Sequence, residues 1–150
     1  MADGLDVIII DEDAQSCEEI AEIVNRFYTW GNVLVFSDIE EAAFYCLNRE
    51  VGIAIFIIEV FQKDGTAFFF LDTISKKFTS AAGDTIMMTA NASDEVVDMC
   101  VAGEVHHLLE KPVRPYALQL AVRAIASKYL NFAKRLREDP DFCRECAKFY

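Results

Sequence analysis

Five apolar runs, each too short to be a helix, alternate along this chain with segments of helical period, and that alternation constrains the fold more than any other feature. Val7–Ile10 is a continuous β-branched run that ends in Asp11, Glu12 and Asp13, the pattern of a strand buried on both faces that emerges into a loop. Cys17, Ile20, Ala21, Val24 and Phe27 then follow helical spacing. A second strand is expected over 33–36, and Ser37 or Asp38 caps a helix carrying Ala42, Ala43, Cys46 and Leu47. Residues 53–58 read as a third strand, and Asp64-Gly65 as a turn before a third helix through Phe68, Leu71, Ile74 and Phe78. Residues 85–88 form the fourth strand. Ser93 caps a helix through Val96, Val97, Met99 and Cys100 that Gly103 can end, and 105–109 form the fifth strand. Pro115 starts a long helix to about Leu136. Every strand reads as buried, so the expected fold is α/β: a five-stranded parallel sheet, doubly wound, with helices on both faces. Such sheets place their sites beyond the carboxyl ends of the strands, where the strand order switches.

Composition narrows the function classes. With 53% hydrophobic and 26% charged residues and three prolines in 150 residues, the chain suits one main domain, expected over 1–136, with a C-terminal helical extension over 137–150. In that extension Asp139, ahead of Pro140, breaks the fifth helix and caps a short sixth. The 14 Lys and Arg against 25 Asp and Glu give a formal net charge of -11, which opposes binding to nucleic acid or an anionic membrane. The longest apolar run, 51–58, is far short of the roughly 18 residues of a membrane span. Nothing after Met1 has the charge and apolar pattern of a secretory signal, so a cytoplasmic protein is expected. Of five cysteines, Cys17, Cys46 and Cys100 fall on amphipathic helices as small apolar residues. Cys143 and Cys146 have C-x-x-C spacing, but no second pair exists to complete a zinc site, and the spacing also suits one helix face with Phe142, Ala147 and Tyr150.

The strand ends collect Asp11, Glu12 and Asp13 after the first strand, Glu59 after the third, Thr89 and Ala90 after the fourth, and Lys111-Pro112 after the fifth. This combination, spanning about Leu5 to Leu130, resembles the receiver domain of two-component response regulators, the CheY-like family of flavodoxin-like fold. The resemblance implies Mg²⁺ held by Asp11, Glu12 and Glu59, with Glu59 at the phosphoacceptor position. It also implies that Thr89 and Lys111 bind the phosphoryl oxygens, and that the partners are a histidine kinase, a phosphotransfer protein or a downstream signalling protein. Independently of any family, hard cations prefer carboxylate oxygens, and clustered acids need a countercharge. Two carboxylates about 5 Å apart repel by roughly 3 kcal/mol at an effective dielectric near 20.

Three departures shape the expectation. Glutamate replaces the family's aspartate at position 59, and its extra methylene moves the carboxylate toward Thr89 and Lys111, a poor geometry for in-line phosphoryl transfer and a partial mimic of the phosphorylated state. Only Val60, Phe61, Gln62 and Lys63 separate Glu59 from Asp64-Gly65, and this short loop argues against the metal. Leu108, three residues before Lys111, stands where the family has a Tyr or Phe.

Each residue also has a plainer reading. The acidic run can cap the first helix, Thr89 can be a strand-end hydroxyl satisfied by backbone, Lys111 a loop lysine, and Glu59 one half of a structural ion pair with Lys111. His106 and His107, adjacent on a strand, face opposite sides and do not chelate one ion.

The expected function is an atypical receiver, not an enzyme, that acts by protein–protein contact. A homodimer is expected through the fourth helix, fifth strand, fifth helix and tail. The alternatives are a conventional Mg²⁺-dependent phosphoacceptor, or a flavin-binding flavodoxin-like protein, which the acidic loop after the first strand opposes.

Overall fold

A computed structural model describes residues 4–63 and 65–148. The β-branched run at the start becomes β1 (Val7–Ile10), with all four residues buried. It pairs in parallel with β2 (Val33–Phe36) on one side and β3 (Ile55–Glu59) on the other, so that Ile9 lies between Val35 and Ile57. β6 (Thr85–Thr89) and β7 (His107–Glu110) extend the sheet to the order β2-β1-β3-β6-β7, all parallel. The strand order reverses between β1 and β3, which makes their carboxyl ends the two walls of the crevice.

The period-2 alternation sorts the strands' side chains onto two faces. Val7, Ile9, Ile55, Ile57, Ile86 and Met88 pack with α1 (Ala14–Asn25) and α5 (Pro115–Glu138). Ile8, Ile10, Phe56, Ile58 and Met87 pack with α2 (Ile39–Leu47), α3 (Ala67–Ile74) and α4 (Asp94–Ala102). Phe56 is the centre of the second core, edge-on to Phe70 at 5.9 Å and to Phe78 at 5.4 Å.

The structure corrects the sequence reading in several places. β2 and β7 are half-buried, not buried, because the strand order puts them at the edges of the sheet. β3 starts two residues later than expected, leaving Ile53 exposed, and β7 starts at His107, since the Val105 amide is taken by the Cys100 carbonyl. α3 ends at Ile74, where the Ser75 hydroxyl bonds the Asp72 carbonyl and competes with the helical ladder. The short segment after Glu59 is a miniature antiparallel hairpin, β4 (Phe61–Gln62) with β5 (Gly65–Thr66). The expected turn at Asp64-Gly65 falls partly outside the described residues at Asp64; Gly65 takes φ 131°, which a side chain rarely adopts.

Asp139 accepts the Phe142 amide at 3.0 Å and ends α5 where α6 (Pro140–Ala147) begins. α6 folds back on α5, with the Phe142 ring edge-on to Phe132 at 5.6 Å and under the Arg135 guanidinium at 3.9 Å. No residue of α6 is buried. Among the described residues, no helix is long and apolar enough to cross a membrane.

Candidate functional site

Three strand ends build the site. Asp11 follows β1 directly, and its amide is held by the Phe36 carbonyl of the neighbouring strand. Glu59 is the last residue of β3, in register with Met88. The Lys111 amide donates to the Thr89 carbonyl at 2.9 Å, which carries the parallel pairing one step beyond β7. The Lys111–Pro112 peptide is cis.

From there the Lys111 side chain reaches across the sheet to both walls of the crevice. Its Nζ donates to Asp11 Oδ2 at 2.5 Å and lies 3.0 Å from Glu59 Oε1. The three side chains are 3%, 14% and 18% exposed for Asp11, Glu59 and Lys111, so all are largely withdrawn from water. Burial alone would lower the lysine pKa, but hydrogen bonds to Asp11 and Glu59 and their charges outweigh it, and the net shift is upward. The ammonium is therefore fixed in its charged form between two carboxylates.

The remaining acids turn elsewhere. Asp11 Oδ1 accepts the Asp13 amide at 2.9 Å. Asp13 caps α1, accepting the Gln15 and Ser16 amides at 3.0 and 3.4 Å, which is the plainer reading of that residue. Glu12 is exposed, and its carboxylate accepts the Lys63 amide of the hairpin. The buried Thr89 accepts the Asn91 amide on its hydroxyl at 3.1 Å, and no hydrogen bond joins that hydroxyl to Glu59 or Lys111 among the described residues. Of the five residues singled out in sequence, the structure thus joins Asp11, Glu59 and Lys111 and leaves Glu12 and Thr89 engaged with backbone.

Whether the acids fit Mg²⁺ is a question of convergence. A magnesium ion takes near-octahedral oxygen ligands at about 2.0–2.1 Å. The Asp11 and Glu59 oxygens that face each other share an ammonium instead, and Glu12 is drawn toward the hairpin. Among the described residues, no three His, Cys, Asp or Glu side chains are placed to hold one ion. In this arrangement the residues do not fit the metal.

Two participants escaped the sequence reading. Cys17 donates its thiol to the Asp11 carbonyl at 3.0 Å, and burial, reinforced by the Asp11 charge, pushes its pKa up to about 11. Its place in the first buried turn of α1 was the available signal. Gln62 donates its amide nitrogen to the Glu59 carbonyl at 2.7 Å and leaves its own buried oxygen without a partner among the described residues. No sequence signal marked it, because a two-residue strand has no periodicity to read. His107 opens β7 and is half-buried, while His106 just before the strand is exposed, and burial together with the neighbouring His106 lowers the His107 pKa. Leu108 packs against the core of α2, α3 and α4.

No protein-family model matches the chain, and no curated protein does. Solved structures do. The BeF3-activated DrrB receiver domain superposes with a TM-score of 0.67 at 19% identity, covering 81% of this chain and 97% of its own. The chemotaxis protein CheY4 of Vibrio cholerae gives 0.68 at 18% identity, covering 81% and 98%. The beryllofluoride-activated NtrC4 receiver domain dimer gives 0.70 at 16% identity, covering 83% and 98%. The chain has the receiver-domain fold, the five-stranded CheY-like form of the flavodoxin-like architecture.

Proposed function

We propose that this protein is an atypical receiver of two-component signalling, a pseudo-receiver that works by protein–protein contact without the usual phosphorylation and is not an enzyme. The observation that carries this reading is the Lys111 ammonium held between Asp11 and Glu59. Phosphoryl transfer to a carboxylate depends on a free, well-placed nucleophile. Glu59 is tied to an ammonium and longer by a methylene than the family's aspartate, so it serves as a fixed internal anion. The partners would be a histidine kinase, a phosphotransfer protein or a downstream signalling protein, in the cytoplasm.

The contact face supported best is that of α4, β7 and α5. On α4, Val97 and Val101 are exposed beside Asp94 and Asp98; on α5, Tyr116 and Leu120 are exposed beside Arg114 and Arg123. A two-fold arrangement that sets α4 of one copy on α5 of another would match apolar with apolar and acid with base, as an isologous interface requires. The similar NtrC4 receiver domain is itself described as a dimer.

The test is intact-mass spectrometry after incubation with a small phosphodonor and Mg²⁺. The expected result is an unchanged mass. A gain of one phosphoryl group would restore the conventional phosphoacceptor reading.

A further inference from the structure

A crevice that brings Asp11 and Glu59 together, with Glu12 on the adjoining loop, needs a positive charge, and the chain supplies one. Each carboxylate has a donor from the protein itself. Asp11 has the Asp13 amide on one oxygen and Lys111 on the other; Glu59 has Lys111; Glu12 has the Lys63 amide of the β4–β5 hairpin. The ammonium lies between the two oxygens that an incoming ion would have to bring together. A tethered group acts at an effective concentration on the order of millimolar, whereas Mg²⁺ must give up tightly held water before it binds carboxylates.

We infer that Lys111 is the resident cation of this crevice: its ammonium stands in place of a divalent metal, and Asp11 and Glu59 take up such a metal only when the ammonium is removed. This deepens the pseudo-receiver reading and rests on it for its meaning in signalling. It makes the state of the site independent of divalent-ion supply, and it gives the Glu12–Lys63 bond a role in drawing the third carboxylate away from the ion position.

The experiment uses the full chain without phosphodonor. Mn²⁺ is titrated with the free ion read by electron paramagnetic resonance, and melting is followed with and without Mg²⁺ at matched ionic strength. Wild type should leave Mn²⁺ free and melt at the same temperature in both solutions. Lys111→Met, which keeps the unbranched apolar stem and removes the ammonium, should bind one Mn²⁺ about tenfold or more tighter than wild type, and Mg²⁺ should raise its melting temperature through linkage. Adding Asp11→Asn to that variant should abolish both effects. Tight one-to-one Mn²⁺ binding by wild type overturns the inference, as does a folded Lys111→Met that binds no better than wild type. If Lys111→Met fails to fold, the wild-type titration decides alone, free Mn²⁺ supporting the inference and bound Mn²⁺ overturning it. A wild type that binds Mn²⁺ yet gains no phosphoryl mass would sink this inference and spare the proposed function. A wild type that gains phosphoryl mass while excluding Mn²⁺ would do the reverse.

Discussion

Lys111 neutralises two acids that come from strands on opposite sides of the switch point, so its removal leaves both carboxylates buried and facing one another. Stripping one partner from a largely buried pair costs several kcal/mol, mostly through the charge left behind. Lys111→Ala is therefore expected to lower unfolding stability by on the order of 3 kcal/mol, read as a fall in the urea midpoint without a change in slope. Glu59→Gln should cost less, because Lys111 keeps Asp11. Equal losses in the two variants would show that the three groups do not share one ion-pair network. The same burial logic governs the thiols. Cys46 is fully buried, and desolvation pushes its pKa up to about 11 against an opposing pull from Arg49. A thiol that stays protonated longer in the folded state than in the unfolded one makes stability fall as pH rises through that window. The contribution is intact below the ordinary thiol pKa of about 8.5 and is lost progressively up to about 11. Cys46→Ala should flatten that part of the pH–stability curve, measured by chemical denaturation, and an unchanged slope would assign it to other groups.

At the scale of the elements, the end of α4 shows how a helix stop can be read correctly for the wrong residue. Gly103 is in an ordinary conformation, and the left-handed residue is Glu104 at φ 61°. The Glu104 amide bonds the Val101 carbonyl and the Val105 amide the Cys100 carbonyl, the two bonds of a Schellman end. Glycine at 103 gives room and not a turn: a Cβ there would stand 3.1 Å from the Phe68 ring, which would have to give by a few tenths of an ångström. With φ 61° at position 104, Glu104→Gly should stabilise the fold by about 1 kcal/mol, read as a rise in the thermal unfolding midpoint, and an unchanged or lower midpoint would show that the left-handed residue carries no strain there. The five-strand frame and the convergence of Asp11, Glu59 and Lys111 were legible in the sequence, because continuous apolar runs fix where strands stop and strand ends fix where side chains emerge. The directions of Glu12 and Thr89 were not, since they depend on backbone donors at Lys63 and Asn91 that no periodicity announces. The buried acids Asp6 and Asp84, at the amino ends of β1 and β6, carry no sequence signal for a similar reason. Their partners Arg49, Lys128 and Tyr129 come from distant helices and loops.

Across the whole molecule, α5 joins two regions of different character. Its buried residues, Leu118 to Ala126, belong to the core, and Lys128 and Tyr129 anchor it to the buried Asp84. Beyond that anchor Leu130 and Phe132 are exposed, and at 1.5 Å per residue the last turns carry the helix roughly 14 Å further. α6 returns along this segment but buries none of its own residues, so Phe132 and Phe142, with Cys143 exposed beside them, leave apolar area uncovered at the far end of α5. Tyr150, which the sequence reading placed on one face with Phe142 and Cys143, lies outside the described residues. Apolar area of this kind, left uncovered, favours association. Deleting residues 139–150 is expected to lower the solution mass measured by light scattering toward that of a monomer, while the core, which among the described residues draws none of its buried side chains from the tail, keeps a cooperative melt. The same mass with and without the tail would mean that α6 only covers α5 of its own chain, and would leave the α4–β7–α5 face to hold any dimer alone.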